Sequence, residues 1–189
     1  MRRLDSKKTN LKYLFISYIY ISKFLKGDNI ETESCNTKPC GCPEKTPCEC
    51  LTFKNAAGKT YLKYDCSNKE LSSLKTVPVW EQAEYVDFSI NKLWDPREIY
   101  DFFKKLPQLK RIDLDKNYLA ELPPQLFAHN HKLQFVNFLN NRLKSIPTLL
   151  FRNNAELEVV WFSGNQVCFE LILKRIKNSS STRRIYNKY

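Results

Sequence analysis

The sequence predicts an α/β solenoid, with short parallel strands along a concave face and irregular or one-turn helical segments returning along the convex side. Three observations carry that expectation. From residue 61 onward apolar residues recur at a long fixed period, an asparagine holds the same place in four successive recurrences, and cysteines cluster where the stack would begin. Self-similarity at about 20–50 residues marks architectures in which each unit buries its apolar face only against its neighbours.

The clearest unit runs Leu109, Ile112, Leu114, Asn117 and Leu119, followed by Leu122, Pro123 and Phe127. The next has Leu133, Val136, Phe138, Asn141, Leu143, Ile146, Pro147 and Phe151. A third comprises Leu157, Val160, Phe162, Asn165 and Val167, and a degenerate one precedes them as Ala83, Val86, Phe88, Asn91 and Leu93. Successive starts are 26, 24 and 24 residues apart. This is the leucine-rich repeat pattern L-x-x-L-x-L-x-x-N-x-L. An earlier unit, lacking the Asn, fits as Tyr61, Tyr64, Cys66 and Leu71.

The spacing has a physical cause. Two apolar residues of each unit point inward from a short strand, the next turns the chain, and the Asn satisfies backbone groups that the turn would leave buried and unpaired. Asn91, Asn117, Asn141 and Asn165 are therefore expected to form a structural ladder. Ile99, Phe102, Phe103 and Leu106 recur at helical spacing within 95–106, so a short helix is expected there, and its two extra residues explain the 26-residue unit.

A solenoid must cover its ends. Seven cysteines, six of them between Cys35 and Cys66, favour an oxidising compartment. Cys42-Pro-x4-Cys48-x-Cys50-x15-Cys66 resembles the cysteine-rich N-terminal cap of extracellular leucine-rich-repeat proteins, the class that includes Toll-like receptors, Slit-type proteins and small leucine-rich proteoglycans. The resemblance covers about residues 42–168. Four cysteines allow three connectivities; the resemblance implies Cys42 with Cys50 and Cys48 with Cys66. Cys35 and Cys40 form an extra pair ahead of the motif. The rival is a zinc site at Cys40, Cys42, Cys48 and Cys50, whose spacing fits zinc modules poorly. The C-terminal end departs from the family pattern: only Cys168 stands there, unpaired and available for a homodimer, and Phe169, Ile172, Leu173 and Ile176 suggest a short covering helix instead.

Basic residues Arg2 to Lys12 followed by the uncharged stretch Tyr13–Ser22 read as a secretory signal, too short to span a hydrocarbon core of about 30 Å. The expected organisation is a signal segment over 1–27, a cysteine-containing extension over 28–41, a disulfide-rich cap over 42–80 merging into a first degenerate repeat, repeats over 81–168, a capping helix over 169–177, and a basic disordered tail over 178–189 carrying a glycosylation sequon at Asn178.

The formal charge of +11 resides at the ends, because residues 31–170 hold 18 residues of each sign. A neutral body lacks the continuous positive face of a nucleic-acid binder, although the basic tail suits contact with acidic glycan or lipid. Catalysis finds no support: four glycines supply no phosphate loop, and His129 and His131 lack a zincin glutamate or a third ligand. No enzyme activity, cofactor or metal is expected. A protein ligand is expected on the concave face, where the register places Tyr85, Asp87 and Ser89; Arg111, Asp113 and Asp115; Phe135, Asn137 and Leu139; and Val159, Trp161 and Ser163. Phe135, Leu139, Val159 and Trp161 would there form an exposed apolar patch with a charged rim. The function so implied is a non-catalytic extracellular protein-binding module. The rivals are an extracellular matrix or cell-adhesion structural protein, and an intracellular adaptor.

Overall fold

The computed structural model describes residues 41–54 and 59–168, together with the short strands Glu33–Ser34 and Arg184–Tyr186. The signal segment, Cys35, Cys40, the 169–177 helix and Asn178 lie outside the described residues. Among those residues eight strands form one sheet in chain order: β1 (Glu33–Ser34), β2 (Glu49–Lys54), β3 (Thr60–Asp65), β4 (Tyr85–Asp87), β5 (Arg111–Asp113), β6 (Phe135–Asn137), β7 (Val159–Trp161) and β8 (Arg184–Tyr186). The first three strands are antiparallel neighbours, and from β3 onward every pair is parallel.

The repeat dictates this register. Tyr64, Val86, Ile112, Val136 and Val160 stand opposite one another on successive strands and are fully buried. Two residues on, Cys66, Phe88, Leu114, Phe138 and Phe162 make a second buried column. The chain then turns through a residue at positive φ, namely Asn68, Ile90, Lys116, Asn140 and Gly164 in successive units. At Gly164 a Cβ would come within 2.4 Å of the Asn140 side chain, so that turn requires glycine.

Return segments follow from local sequence. Asp95 caps α1 (Pro96–Phe103), accepting from Arg97 N at 2.9 Å, with Pro96 in the first turn where its missing N–H costs nothing. The helix buries Ile99, Phe102 and Phe103. The corresponding segments at 123–130 and 147–154 open on proline and close only i→i+3 turns, such as Leu126 N to Pro123 O at 3.1 Å and Leu150 N to Pro147 O at 3.3 Å.

The asparagines tie unit to unit. Asn117 Nδ2 donates to Phe88 O of the preceding unit at 2.9 Å and to its own Leu114 O at 3.2 Å, while its Oδ1 accepts from Leu93 N at 3.0 Å. Asn141 repeats the pattern with Leu114 O, Phe138 O and Leu119 N, and Asn165 with Phe138 O, Phe162 O and Leu143 N. Asn91 serves the first junction, donating to Cys66 O at 2.8 Å and accepting from Leu71 N at 2.9 Å. A second ladder on the return side involves Asn130 and Asn154, both fully buried. Asn130 Nδ2 reaches Phe103 O and Leu106 O at 2.9 and 2.8 Å, and Asn154 Nδ2 reaches Phe127 O and Asn130 O at 3.0 and 2.8 Å.

Cys42 pairs with Cys50 and Cys48 with Cys66, which removes the thiolates that a zinc site would use. Cys168 is free and exposed. The tail corrects an expectation. Residues 184–186, placed by sequence in a disordered stretch, pair in parallel with β7, Ile185 opposite Val160. The last repeat strand leaves a row of backbone donors and acceptors, and a strand that satisfies them needs no repeat signature of its own.

Candidate functional site on the concave face

Alternation along each short strand places its first and third residues on the concave side, and parallel pairing lines them up across the units. One row runs Lys63, Tyr85, Arg111, Phe135 and Val159; the other runs Asp65, Asp87, Asp113, Asn137 and Trp161.

The first row is a stack of alternating cations and rings. Lys63 Nζ lies 4.9 Å from the Tyr85 ring centroid, and the Arg111 guanidinium lies 4.9 Å from that of Tyr85 and 4.1 Å from that of Phe135. Each cation sits against the negative face of a ring. Lys63 also reaches Asp65 at 2.7 Å and Asp87 at 3.1 Å. Burial alone would lower its pKa, but these two carboxylates outweigh burial and hold it above the ordinary value. Burial pushes the Tyr85 phenol well above its usual range, against the pull of Arg111.

The second row terminates its own strands. Asp65 accepts from Ser67 N at 3.0 Å, Asp87 from Ser89 N at 3.0 Å, Asp113 from Asp115 N at 3.0 Å, and Asn137 from Leu139 N at 2.9 Å. These side-chain bonds to the backbone two residues on are Asx turns, which end extended structure. The recurrence of Asp or Asn at the third strand position is the sequence signal for this role, and only structure makes it plain. Asn137 Nδ2 additionally bonds both Asp113 oxygens at 3.0 Å.

The expected exposed patch is corrected. Phe135, Val159 and Trp161 keep only 4%, 3% and 7% of their surface, and Leu139 packs against them. They do come together, as a small cluster separate from the main core, with Phe135 and Trp161 edge to face at 4.9 Å. Strands spaced at about 4.8 Å bring such neighbours into contact, so they cover one another. The Arg111 guanidinium lies over the Phe135 ring. Asp87, Asp113 and Asn137 are buried too, which leaves Tyr85, Ser89, Arg111, Asp115, Leu139 and Ser163 half-buried.

Asp113 carries the clearest electrostatic anomaly. Burial, reinforced by Asp87 directly opposite on β4, raises its pKa from 3.8 to about 6, against the bonds from Asp115 N and Asn137 and the charge of Arg111. The folded state thus holds this proton more tightly than the unfolded chain. Stability from this group grows as pH falls through 6 and is complete below the unfolded value of 3.8. Replacing Asp113 with Asn is expected to raise stability at pH 7.5 by up to roughly 3 kcal/mol, the equivalent of about two pKa units. The gain should shrink as pH falls from about 6 towards 4, where the wild-type carboxyl takes up its proton in both states. Urea titrations of both proteins between pH 4 and 7.5 check this, and a stability difference between them that stays constant or widens on acidification contradicts it.

No protein-family model and no curated relative matches the chain. Among solved structures, the crystal structure of the leucine-rich repeat domain of APL1B is similar, with a TM-score of 0.54 and 21% identity, covering 65% of this chain and 36% of that one. The chain therefore spans little more than a third of that structure. Likeness at this identity concerns the fold, and with the in-register parallel strands and the asparagine ladder it shows that this chain folds as a leucine-rich-repeat solenoid.

Proposed function

We propose that this protein is a non-catalytic extracellular protein-binding module that engages its ligand through the concave face, centred on Arg111 rather than on Trp161. The observation that carries the reading is the setting of Arg111. Its guanidinium is held between Tyr85 and Phe135, the residue is half-buried, and its Nε is buried with no hydrogen-bond partner. An arginine with restricted rotamers and aromatic walls meets a partner without much further loss of side-chain entropy, and arginine and tyrosine are enriched among residues that dominate interface energies. Two disulfides in the cap and the basic, apolar order of residues 1–27 support the extracellular setting.

The test is affinity capture from extracellular fluid and cell surfaces, followed by titration of the captured partner with wild type and two variants. Arg111→Ala should weaken binding by about 2 kcal/mol or more per folded molecule. Trp161→Ala, which empties a buried position, should melt early and bind normally once corrected for the folded fraction. Unchanged affinity in Arg111→Ala would remove the concave face as the ligand site.

A further inference from the structure

We propose that the flank of the solenoid beyond the asparagine ladder is a second interaction surface, suited to an acidic protein segment that also carries apolar side chains. It lies on a different face from the concave strand positions and does not depend on them. After each ladder asparagine the chain alternates, sending Leu93, Leu119 and Leu143 into the core and leaving their neighbours exposed. Backbone bonds hold successive units in step: Ile90 N to Asp115 O at 2.8 Å, Tyr118 N to Leu93 O at 2.9 Å, and Arg142 N to Leu119 O at 2.8 Å. The outward residues of three units therefore form an array of three by three exposed positions.

The composition of that array is one-sided. Four of its nine positions are cations, Lys92, Lys116, Arg142 and Lys144, and none is acidic, although residues 31–170 hold equal numbers of each sign. Acids sit only at its border: Glu70 pairs with Lys92 at 3.5 Å, Asp115 accepts from Asn140 Nδ2 at 2.8 Å, Asp95 follows Trp94 and Glu121 follows Ala120. Three more positions are large and apolar. Ile90, Trp94 and Tyr118 are 48%, 59% and 44% exposed, and among the described residues Leu149 alone joins them as an exposed large hydrophobic. The Arg142 guanidinium lies 4.3 Å from the Tyr118 ring centroid and fixes that pair in place.

Ile90 has no explanation in the fold. It adopts φ of +55° at the turn where other units use Asn68, Lys116, Asn140 and Gly164. A β-branched residue is strongly disfavoured in that region, and this one faces outward, so the core gains nothing from it. Strain of this kind persists where it has a use. The cations select an anionic occupant by charge complementarity. The apolar share favours a protein segment over a sulfated polysaccharide or nucleic acid, for which an exposed isoleucine offers no contact of value.

The experiment immobilises the full chain and titrates it with a synthetic poly(Glu,Tyr) copolymer, with poly-Glu and heparin alongside, near 150 mM salt where screening acts beyond about 8 Å. The copolymer should bind at least about tenfold more tightly than poly-Glu, and the double variants Trp94→Ala with Tyr118→Ala and Lys92→Glu with Arg142→Glu should each lose about tenfold or more. A charge-matched control on the exposed convex segments, Lys132→Glu with Arg152→Glu, should change binding less than about twofold. All six positions are exposed, so melting curves should coincide. The basic ends are common to every variant and cancel in the comparison. No copolymer binding by wild type, equal loss in the convex control, or heparin binding more tightly while the aromatic double variant keeps its affinity would each overturn the proposal.

Discussion

Phe127→Ala is expected to destabilise the protein by about 3–5 kcal/mol, the range for emptying an aromatic site in a close-packed core. Phe127 is fully buried and stacks between rings of both neighbouring units, 6.0 Å and 18° from Phe103 and 5.7 Å and 8° from Phe151. It also leans on Phe138 at 6.1 Å. In a solenoid, stability is a sum of unit terms and nearest-neighbour interfaces, so a ring shared by two interfaces weakens both when it is lost. Its neighbours cannot collapse inward, because the asparagine bonds on either side hold the units at fixed spacing. Leu149→Ala is the control. That side chain is 54% exposed, and its loss should change stability by no more than about 0.5 kcal/mol. Equal shifts of the two urea midpoints would mean that the ring stack does not bind the units together.

Removing the cap disulfides should cost about 2–5 kcal/mol, through the freedom returned to the unfolded chain. The Cys48 to Cys66 bridge closes an 18-residue separation and joins the approach to β2 to the end of β3, while Cys42 to Cys50 closes 8 residues within the cap. Cys66 is fully buried, Cys48 and Cys50 nearly so, and they abut the first layer of core, where Tyr64 meets Trp80 edge to face at 5.9 Å. Reduction therefore loosens the lid over the N-terminal end. Melting curves of oxidised and reduced protein should separate, and Cys42, Cys48, Cys50 and Cys66 should resist alkylation in the native state. Free thiols at those four positions in protein drawn from its natural source would instead favour the intracellular adaptor.

Some features are legible because they rest on period and local chemistry alone. The repeat register follows from apolar residues whose spacing admits one arrangement of inward and outward faces. The α1 boundary follows from Asp95 and Pro96, a cap and a first-turn proline whose effect does not depend on distant contacts. The second asparagine ladder had a signal too, in Phe127-Ala-His-Asn130 and Phe151-Arg-Asn-Asn154, 24 residues apart. It is harder to see because only two units carry it and Leu106 holds the equivalent place before them.

The sequence by itself determined which side chains of each unit turn towards the core and which turn towards the concave face, because alternation along a strand is a local property of the backbone. Tertiary structure alone decided what remained accessible there. Whether Phe135 and Trp161 stay open depends on how the side chains of adjacent units fill the space over strands spaced at about 4.8 Å, and Arg111, 24 residues before Phe135, closes over that ring. The pairing of Ile185 with Val160 belongs to the same class. A backbone edge accepts any strand that can reach it, so no side-chain pattern announces the contact.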